Sequence, residues 1–364
     1  MKPINARLVV SDRGWIIEKF MVRLAENLTQ FGVNAEVSSK VSANADVHHL
    51  FYFDPKFREL NKVARSRTTF FVTHIDRVTK LFILKQRMKQ AGIAICMSRM
   101  TVEDMVRKGI EREKLCYILA GHDGRMVPRR LVLGIASSLS DSDAMVREMI
   151  RSVAQTTRLA GFHFEIAGSG WTSLVGCLEQ AGASVHYEDR ADQTKFNTER
   201  IPRLDYYLDF GMENGFLAFL NALAAGVPVI AKPQGCNLDI EGSLAHSFTN
   251  AAELAGILSA ISQERKRRVD AMTELTWAEY ARQHAIAWRA LLEGRRGEVT
   301  HLLHANSKLP PLDVQLPKPR LADKIRFLGL STWDSIRSDA RLWAWEYAPL
   351  STIRLIRRLK RLGR

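Results

Sequence analysis

Short apolar runs alternate along this chain with longer segments whose apolar residues recur at helical spacing. This alternation is typical of β-α-β units, in which crossover helices join parallel strands. In the first half of the chain, strands are predicted at residues 7–10, 35–37, 47–51, 69–72, 94–97 and 115–118. Helices are predicted between them at residues 15–31, 77–90 and 101–108.

The alternation stops and then starts again. Gly121, Gly124 and Pro128 lie among charged residues, which is typical of a linker. Beyond it, strands are predicted at residues 131–136, 163–167, 184–187, 206–208 and 227–231, with helices at 144–159, 172–181 and 215–225. We therefore predict an α/β protein with two Rossmann-like parallel-sheet domains facing a cleft. The predicted divisions are an N-terminal domain, a C-terminal domain, a Pro-rich connector and a basic helical extension, at residues 1–125, 126–293, 294–320 and 321–364.

Composition narrows the range of partners. A formal charge of +14 over 364 residues attracts the chain to polyanions such as nucleic acid, anionic lipid or a phosphorylated substrate. The four cysteines are widely separated and include no C-x-x-C pair, so neither a zinc knuckle nor a disulfide framework is indicated. No signal-peptide pattern and no apolar run of transmembrane length is present, and we expect a cytoplasmic protein, peripheral on the inner face of the cell membrane.

The most informative segment is residues 205–235, DYYLDFGMENGFLAFLNALAAGVPVIAKPQG. A predicted strand ends at Asp209, a loop carries Glu213, Asn214 and Gly215, and a helix begins there. Free backbone N–H groups at a helix start bind anions, and doubly wound folds bind ligands at this edge of the sheet. A phosphate or a sugar hydroxyl would then lie beside Glu213. The alternative is that Glu213 only caps the helix and the alanine-rich run packs into the core.

Two further segments carry candidate residues. Residues 164–171, FEIAGSGW, place Gly168 and Gly170 directly after a strand, where glycine lets the backbone approach a ligand. A tight strand-to-helix turn without any ligand has the same sequence. His74 ends a strand in FFVTHID and offers a donor and an acceptor near neutral pH, although a lone histidine is often structural. Asp76 and Arg77 follow, suited to orient His74 or to bind a phosphorylated acceptor.

Residues 205–235 resemble the nucleotide-sugar-binding segment of glycosyltransferase family 4, in which a glutamate, a glycine-aromatic pair and an alanine-rich helix precede Gly-x-Pro-Val-Ile. The resemblance implies the two-domain glycosyltransferase B fold and retaining transfer from a nucleoside-diphosphate sugar. It also implies that Glu213 contacts the donor sugar, with Asn214, Gly215 and Phe216 in the same donor-binding loop. Asn221 stands where the family has a second glutamate that holds the ribose. The amide of Asn221 can still hydrogen-bond ribose hydroxyls, but these bonds lack the charge assistance that a carboxylate provides.

The resemblance extends over most of residues 5–292. In residues 95–123 a serine after a strand, a helix, Gly-Ile, a basic stretch, a strand and Gly-x-Asp follow the family's order into its hinge. By the same resemblance, Gly168 and Gly170 lie near the diphosphate, Gly14 lies in an acceptor-side glycine loop, and His74 lies near the transferred sugar.

One departure concerns the leaving group. The family follows the first strand of its second domain with an arginine and a lysine, which neutralise the diphosphate. Here that strand is followed by the serine-rich residues 137–142, and the next basic residue is Arg147. Stabilisation of the leaving diphosphate is a large electrostatic contribution to catalysis. We therefore expect Arg190 and Lys195 to supply the positive charge in place of the family's arginine and lysine. Without a substitute, the chain would be a catalytically degenerate nucleotide-sugar-binding or scaffolding relative.

Residues 351–364, STIRLIRRLKRLGR, contain six basic residues and no acidic one. As a helix, this segment places Leu355, Leu359 and Leu362 on one face, which suits an anionic membrane surface bound through residues 350–364. The alternative is a basic helix that packs on the N-terminal domain through its leucines. Nucleic-acid binding is not expected, because no recognition fold accompanies the charge.

The sequence therefore predicts a hexosyltransferase-like enzyme that moves a sugar from a nucleotide-sugar to a glycan or polyprenyl-linked acceptor, in bacterial surface polysaccharide synthesis. No Asp-x-Asp motif lies in a suitable loop, so neither a metal nor another cofactor is expected. A nicotinamide-dependent oxidoreductase is disfavoured, because no G-x-G-x-x-G follows the first strand.

Overall fold

Two parallel sheets form the frame of the protein. The computed structural model describes residues 2–11, 14–62, 67–124, 126–189, 192–211 and 216–304. Within them, the strands are β1 (Ile4–Val9), β2 (Val33–Ser38), β3 (Val47–Phe51), β4 (Thr68–Val72), β5 (Ile93–Cys96), β6 (Leu115–Tyr117), β7 (Leu131–Ala136), β8 (Phe162–Ala167), β9 (Ser184–Glu188), β10 (Tyr206–Asp209), β11 (Val229–Ala231) and β12 (His246–Ser247). They form two six-stranded sheets, and all neighbouring strands are parallel. The predicted pair of parallel α/β sheets is confirmed.

Helices follow most of the strands. They are α1 (Ile16–Leu28), α2 (Val78–Met88), α3 (Arg99–Arg107), α4 (Ala144–Thr156), α5 (Thr172–Gln180), α6 (Gln193–Lys195), α7 (Phe216–Ala224), α8 (Ala251–Asp270), α9 (Trp277–Leu292) and α10 (Val299–His304). Their ends follow local chemistry. Ser98 caps α3 by accepting a hydrogen bond from the Thr101 N–H at 3.1 Å, and Gly109 follows α3 with φ +84°, in the left-handed conformation that often ends a helix.

The first sheet has the order β2-β1-β3-β4-β5-β6. Strands β3, β4 and β5 are buried along their whole length, because helices cover both faces of a parallel sheet. Helix α1 buries Ile17, Met21, Leu24 and Leu28, which recur at the spacing that places side chains on one helical face.

The described part of residues 273–364 belongs to the same compact unit as residues 1–125, and residues 126–272 form the second unit. Helix α9 packs its apolar face on the first sheet, where Tyr280, His284 and Trp288 are buried. The predicted division at residue 293 therefore differs from the observed one at Met272, because packing rather than chain order decides where α9 belongs. Part of the predicted connector is also helical: Thr300 of α10 donates its hydroxyl to the Leu115 carbonyl at 3.1 Å.

The second sheet has the order β12-β11-β10-β7-β8-β9. Counted from β7, the strands run outward in one direction to β9 and then in the other direction from β10 to β12, which is the Rossmann order 3-2-1-4-5-6. One face of this sheet buries Phe164 and Trp171 against α4, α5 and α8, and the other buries Tyr207 and Phe219. Both faces are thus covered, as the continuous apolar strands require.

Candidate functional site

Open parallel sheets bind ligands at the carboxyl ends of their strands, where the strand order reverses. In the first sheet this switch point lies between β1 and β3, and in the second it lies between β7 and β10. Each unit therefore has its own candidate edge, and each edge carries residues that the sequence singled out.

The turn at Gly168 and Gly170 is built against the loop that leaves β7. A Cβ at Gly168 would lie 2.3 Å from the Ser137 carbonyl oxygen, and one at Gly170 would lie 2.1 Å from that of Leu139. Both glycines have positive φ, +129° and +85°. The Leu139 N–H also donates to the Ser169 carbonyl at 2.8 Å. Contact between two backbones, with no ligand, already requires glycine at both positions.

Arg147, the first basic residue after β7, reaches the same two loops. Its guanidinium donates to the carbonyls of Gly170 at 3.0 Å, Leu139 at 3.4 Å and Ser140 at 3.5 Å. A positive charge is therefore present beside the glycine turn, on a side chain that stabilises the backbone of both loops. No sequence pattern predicts these contacts, because they depend on how the two loops fold against each other.

The chain segments that leave β10 and β11 are joined by hydrogen bonds. Asp209 accepts a bond from the Gly211 N–H at 3.0 Å, and the Lys232 N–H donates to the Asp209 carbonyl at 3.1 Å. The side chain of Gln234 donates to the Gly211 carbonyl at 2.9 Å. Burial raises the pKa of the Asp209 carboxyl, and the bond from Gly211 opposes that shift. A partly buried acid thus ends the central strand at the switch point, which is typical of functional sites.

Glu213, Asn214 and Gly215 lie outside the described residues. Helix α7 begins at Phe216, close to the predicted start, and buries Ala218 and Ala222 in the core. The alanine-rich run is thus core packing on one face. Asn221 lies on the other face, exposed to solvent, one helical turn after the exposed Leu217.

Of the two proposed diphosphate ligands, Arg190 lies outside the described residues and Lys195 is exposed on α6. The next turn is held on the sheet by Arg200, which donates to Glu165 at 2.9 Å and also pairs with Glu188. Phe196 packs in the core with Tyr207, so this segment crosses a face of the sheet beside the switch-point strand β10. The described contacts do not join Lys195 to the glycine turn.

The first sheet has a buried carboxylate at its switch point. Asp54 follows β3 and accepts hydrogen bonds from the Ser11 hydroxyl at 2.6 Å, the Ser11 N–H at 3.1 Å and the Lys56 N–H at 2.8 Å. Burial raises the pKa of Asp54, and these hydrogen bonds oppose the shift. The buried guanidinium of Arg87 donates to the Asp54 carbonyl at 2.7 Å and to that of Tyr52 at 3.1 Å, which fixes the loop.

A small cavity of about 30 Å³ opens beside this carboxylate. It is lined by Val9, Val10, Ser11, Trp15, Ile17, Phe51, Phe53, Asp54 and Pro55. The lining joins aromatic rings to one acid, and a volume of this size is about that of one water molecule. Gly14 lies just before Trp15 with φ +82°, and a Cβ there would meet no heavy atom within 4 Å, so only its backbone conformation requires glycine.

His74 and Asp76 follow β4 at the same edge. His74 is exposed, and its carbonyl accepts a hydrogen bond from the Tyr52 hydroxyl at 3.1 Å. The carboxylate of Asp76 forms an ion pair with Lys80 at 2.7 Å. Burial raises the pKa of Asp76, but the hydrogen bond and charge of Lys80 outweigh it, so the net shift is downward. The closest described partner of Asp76 is therefore Lys80, which also lies over the Phe53 ring at 5.2 Å.

Among the residues that the structure describes, no three His, Cys, Asp or Glu side chains converge as metal ligands. Within the same residues, no helix combines the length and the apolar character needed to cross a bilayer.

Sequence reasoning missed Asp54 and Asp209 as site residues. The available signal was an acidic residue at or just after the end of a buried strand. Burial of a carboxylate there is unfavourable, so such a residue indicates either compensating hydrogen bonds or a functional role. Arg147 follows the serine-rich residues 137–142, and no sequence signal gives its contacts.

No protein-family model matches the chain, and no curated protein has a similar sequence. Solved structures show similarity over most of the chain at low identity. HepE from Anabaena, solved with UDP-glucose, is 13% identical and aligns over 83% of this chain and 100% of its own, with a TM-score of 0.30. WaaG, a glycosyltransferase involved in lipopolysaccharide biosynthesis, is 13% identical over 82% and 100%, with a TM-score of 0.29.

A putative UDP-N-acetylglucosamine 2-epimerase from Listeria monocytogenes is 11% identical over 81% of this chain and 98% of its own, with a TM-score of 0.30. TM-scores at this level do not establish a common fold. The architecture of this chain therefore rests on its own strand order and packing.

Proposed function

We propose that this protein is a glycosyltransferase that takes a sugar from a nucleoside-diphosphate donor. The observation that carries the proposal is the Rossmann order of the second sheet, whose switch point between β7 and β10 leads directly into the segment resembling family 4. The Gly168–Gly170 turn lies at the end of β8, next to β7. Nucleotide phosphates bind in such a crevice against backbone N–H groups.

In this proposal Glu213, Asn214, Gly215 and Phe216 hold the donor sugar, and Asn221 meets the ribose. The first unit would present a glycan or polyprenyl-linked acceptor near Gly14, His74 and Asp76. Transfer would retain the anomeric configuration, because the resembled family does so. The setting we propose is synthesis of a bacterial surface polysaccharide.

A second candidate function differs from this enzyme in the positive charge available to neutralise the leaving diphosphate. Arg147, Arg190 and Lys195 are the proposed sources of positive charge, but the guanidinium of Arg147 already donates to three carbonyls. Together with Asn221 in place of a glutamate, this favours as the second candidate a degenerate relative that binds nucleotide-sugars without turning them over. Binding and turnover must therefore be measured separately.

Binding is tested by thermal shift with a panel of nucleoside diphosphates and nucleotide-sugars. A ligand that prefers the folded state raises the melting temperature, and a concentration of 100 times Kd adds about 2.7 kcal/mol of stability. Both candidates require such a ligand, so a panel without any shift would contradict both.

Turnover is tested by donor hydrolysis and transfer with Glu213→Ala and Glu213→Gln beside the unchanged protein. The enzyme proposal expects both variants to lose at least about tenfold in kcat, because the residue would act on the transferred sugar. Full activity in both variants would remove Glu213 from the site. Binding without turnover in the unchanged protein would select the degenerate relative. Proton NMR of the first-formed product gives the anomeric outcome.

We further propose that no metal takes part and that residues 350–364, which lie outside the described residues, bind an anionic membrane on its inner face. Activity that survives exhaustive chelation supports the first statement, and activity restored only by a divalent ion contradicts it. For the second, neutralising Arg357, Arg358 and Arg361 to glutamine should weaken sedimentation with phosphatidylglycerol vesicles, and salt should weaken it further.

A further inference from the structure

Five ionisable side chains meet on one face of β8 and β9 in the second unit. Glu165 on β8 lies directly opposite His186 on β9, and residues two positions apart on a strand share a face. Helix α5 packs on the opposite face of β9, with Val185 and Tyr187. The five side chains are between 20% and 45% exposed, so they exchange protons with water and still interact with one another. They are called here the β8–β9 cluster and are His163, Glu165, His186, Glu188 and Arg200.

One ring nitrogen of His186 has two partners that require it in opposite states. Its Nδ1 lies 2.9 Å from a carboxylate oxygen of Glu165 and 2.8 Å from a guanidinium nitrogen of Arg200. A ring nitrogen that carries a proton donates a hydrogen bond, and one without a proton accepts. The neutral ring accepts from Arg200 in the tautomer that leaves Nδ1 free. The protonated ring donates to Glu165 and has no nitrogen left to accept from Arg200, so the two contacts exclude each other.

The carboxylates of the cluster are shared between the histidines and Arg200. Arg200 donates to Glu165 at 2.9 Å and also pairs with Glu188, so its guanidinium bridges β8 and β9. His163 Nε2 lies 2.9 Å from the other oxygen of Glu165, and His186 Nε2 lies 3.5 Å from Glu188. Burial raises the pKa of Glu165, but hydrogen bonds from His186 and His163 and the nearby charges outweigh it, so the net shift is downward. A protonated His186 therefore has two carboxylates within reach and competes with Arg200 for both.

The cluster is joined to the glycine turn through the backbone. Glu188 ends β9, and its carbonyl accepts a hydrogen bond from the Gly168 N–H at 3.1 Å. Arg200 belongs to the segment of residues 193–203, which also carries Lys195. One guanidinium thus holds both the strand end beside the glycine turn and the segment that contains a proposed diphosphate ligand.

We propose that Arg200 and His186 are positioning residues of the donor site, which hold the glycine turn and residues 193–203 in place for a diphosphate only while His186 is neutral. This inference rests on the proposed function. A proton on His186 brings two positively charged groups together with their nitrogen atoms 2.8 Å apart. Repulsion at that distance in a partly buried cluster displaces Arg200 from its bridge. Diphosphate binding then weakens as the pH falls through the range in which histidine titrates.

The test measures UDP-glucose affinity by titration calorimetry at about pH 7.5 and about pH 5.5, on either side of ordinary histidine titration. Both ends of the diphosphate in UDP-glucose are esterified, so the charge of the ligand is the same at the two pH values. The unchanged protein should bind about tenfold more weakly at the lower pH, because the competent state is then a minor one. His186→Gln offers Arg200 a carbonyl oxygen and does not titrate, so its affinity should not vary. His246→Gln is the matched control, since His246 is an exposed histidine on β12 of the same unit and its loss should leave the pH dependence intact.

Two further measurements separate positioning from a merely structural role. Arg200→Lys keeps the charge but loses the planar fork that bridges the strands, so it should bind weakly at both pH values. Hydrogen exchange requires no ligand. Amides of residues 193–203, corrected for the intrinsic exchange rate at each pH, should exchange faster at the lower pH in the unchanged protein and in His246→Gln, but not in His186→Gln.

The outcomes divide clearly. The same pH dependence of affinity and exchange in His186→Gln as in the unchanged protein would overturn the proposal, as would exchange that does not change with pH. A β8–β9 cluster that only braces the sheet would give variants with lower melting temperatures and an unaltered pH dependence, which also overturns it. A chain that binds neither UDP-glucose nor any other member of the nucleotide-sugar panel contradicts the proposed function instead, and exchange then still decides whether His186 controls residues 193–203.

Discussion

Two buried histidines, one on β3 and one on α9, should make the first unit unfold more easily in mild acid. His49 on β3 and His284 on α9 are fully buried, with ring centroids 5.3 Å apart. His284 Nδ1 donates to the Tyr280 carbonyl at 2.8 Å, and no hydrogen-bond partner for its Nε2 is found among the described residues. Burial lowers the pKa of His284 to about 4 and that of His49 well below 6.5, with the neighbouring His284 adding to the shift of His49.

The sign follows from proton binding. Between about pH 6.5 and the folded value of about 4, the unfolded chain binds a proton at His284 that the folded protein does not. Stability is therefore complete above the unfolded pKa and falls as the pH falls. The full loss from His284 is about 3 kcal/mol, of which about 2 kcal/mol has gone by pH 5. His49 changes stability in the same direction.

The assay is urea unfolding over this pH range for the unchanged protein and for His284→Asn. Asparagine keeps a hydrogen-bond donor near the Nδ1 position and does not titrate. Any loss of stability caused by the substitution itself is therefore the same at every pH and cancels when two pH values are compared. The stability advantage of the unchanged protein should shrink by about 2 kcal/mol between about pH 7.5 and about pH 5. An advantage that does not vary with pH would refute the burial argument.

Two further predictions concern the loops at the second switch point. Gly170→Ala should lower the free energy of unfolding by at least about 2 kcal/mol, because the new Cβ would meet the Leu139 carbonyl and the φ of this residue is positive. The control Gly176→Ala on α5 has open space around the new Cβ and should be neutral or stabilising, so equal melting temperatures for the two variants would contradict this prediction. Trp171→Phe should lose about 1–3 kcal/mol, because the indole N–H donates to the Ser137 carbonyl at 2.7 Å in a fully buried position, and chemical denaturation measures the loss.

Much of the secondary structure follows from periodicity alone. The bounds of β7 agree with the apolar run that predicted it, because buried parallel strands are continuously apolar. The bounds of β3 also agree with the prediction, although this strand includes the buried His48 and His49. Strand β12 escaped prediction, since two exposed residues carry no pattern. The sequence of α9 places its buried residues at helical spacing, but periodicity does not say which sheet a helix covers. The contacts of Trp288 and His284 with His49 place α9 on the first sheet, and such tertiary contacts are not visible in a sequence pattern.

The site was less predictable than the fold. The glycines at 168 and 170 were expected at a ligand, and the structure gives a sufficient cause in their contact with the neighbouring loop. The roles of Arg147 and Asp54 depend on partners 23 and 43 positions away, respectively, which a single sequence does not identify. Donor residues 213–215 stay a prediction from resemblance.

The return of α9 to the first sheet determines the order in which this protein is completed during synthesis. The N-terminal strands leave the ribosome first, but the face that Trp288 and Tyr280 cover stays open until the whole of residues 126–272 has been made. The second unit contains all of its own strands and helices, so it is able to finish folding while the earlier unit still exposes apolar surface. A chain that stops at Met272 would contain every strand of both sheets and still lack the helix that closes the first core.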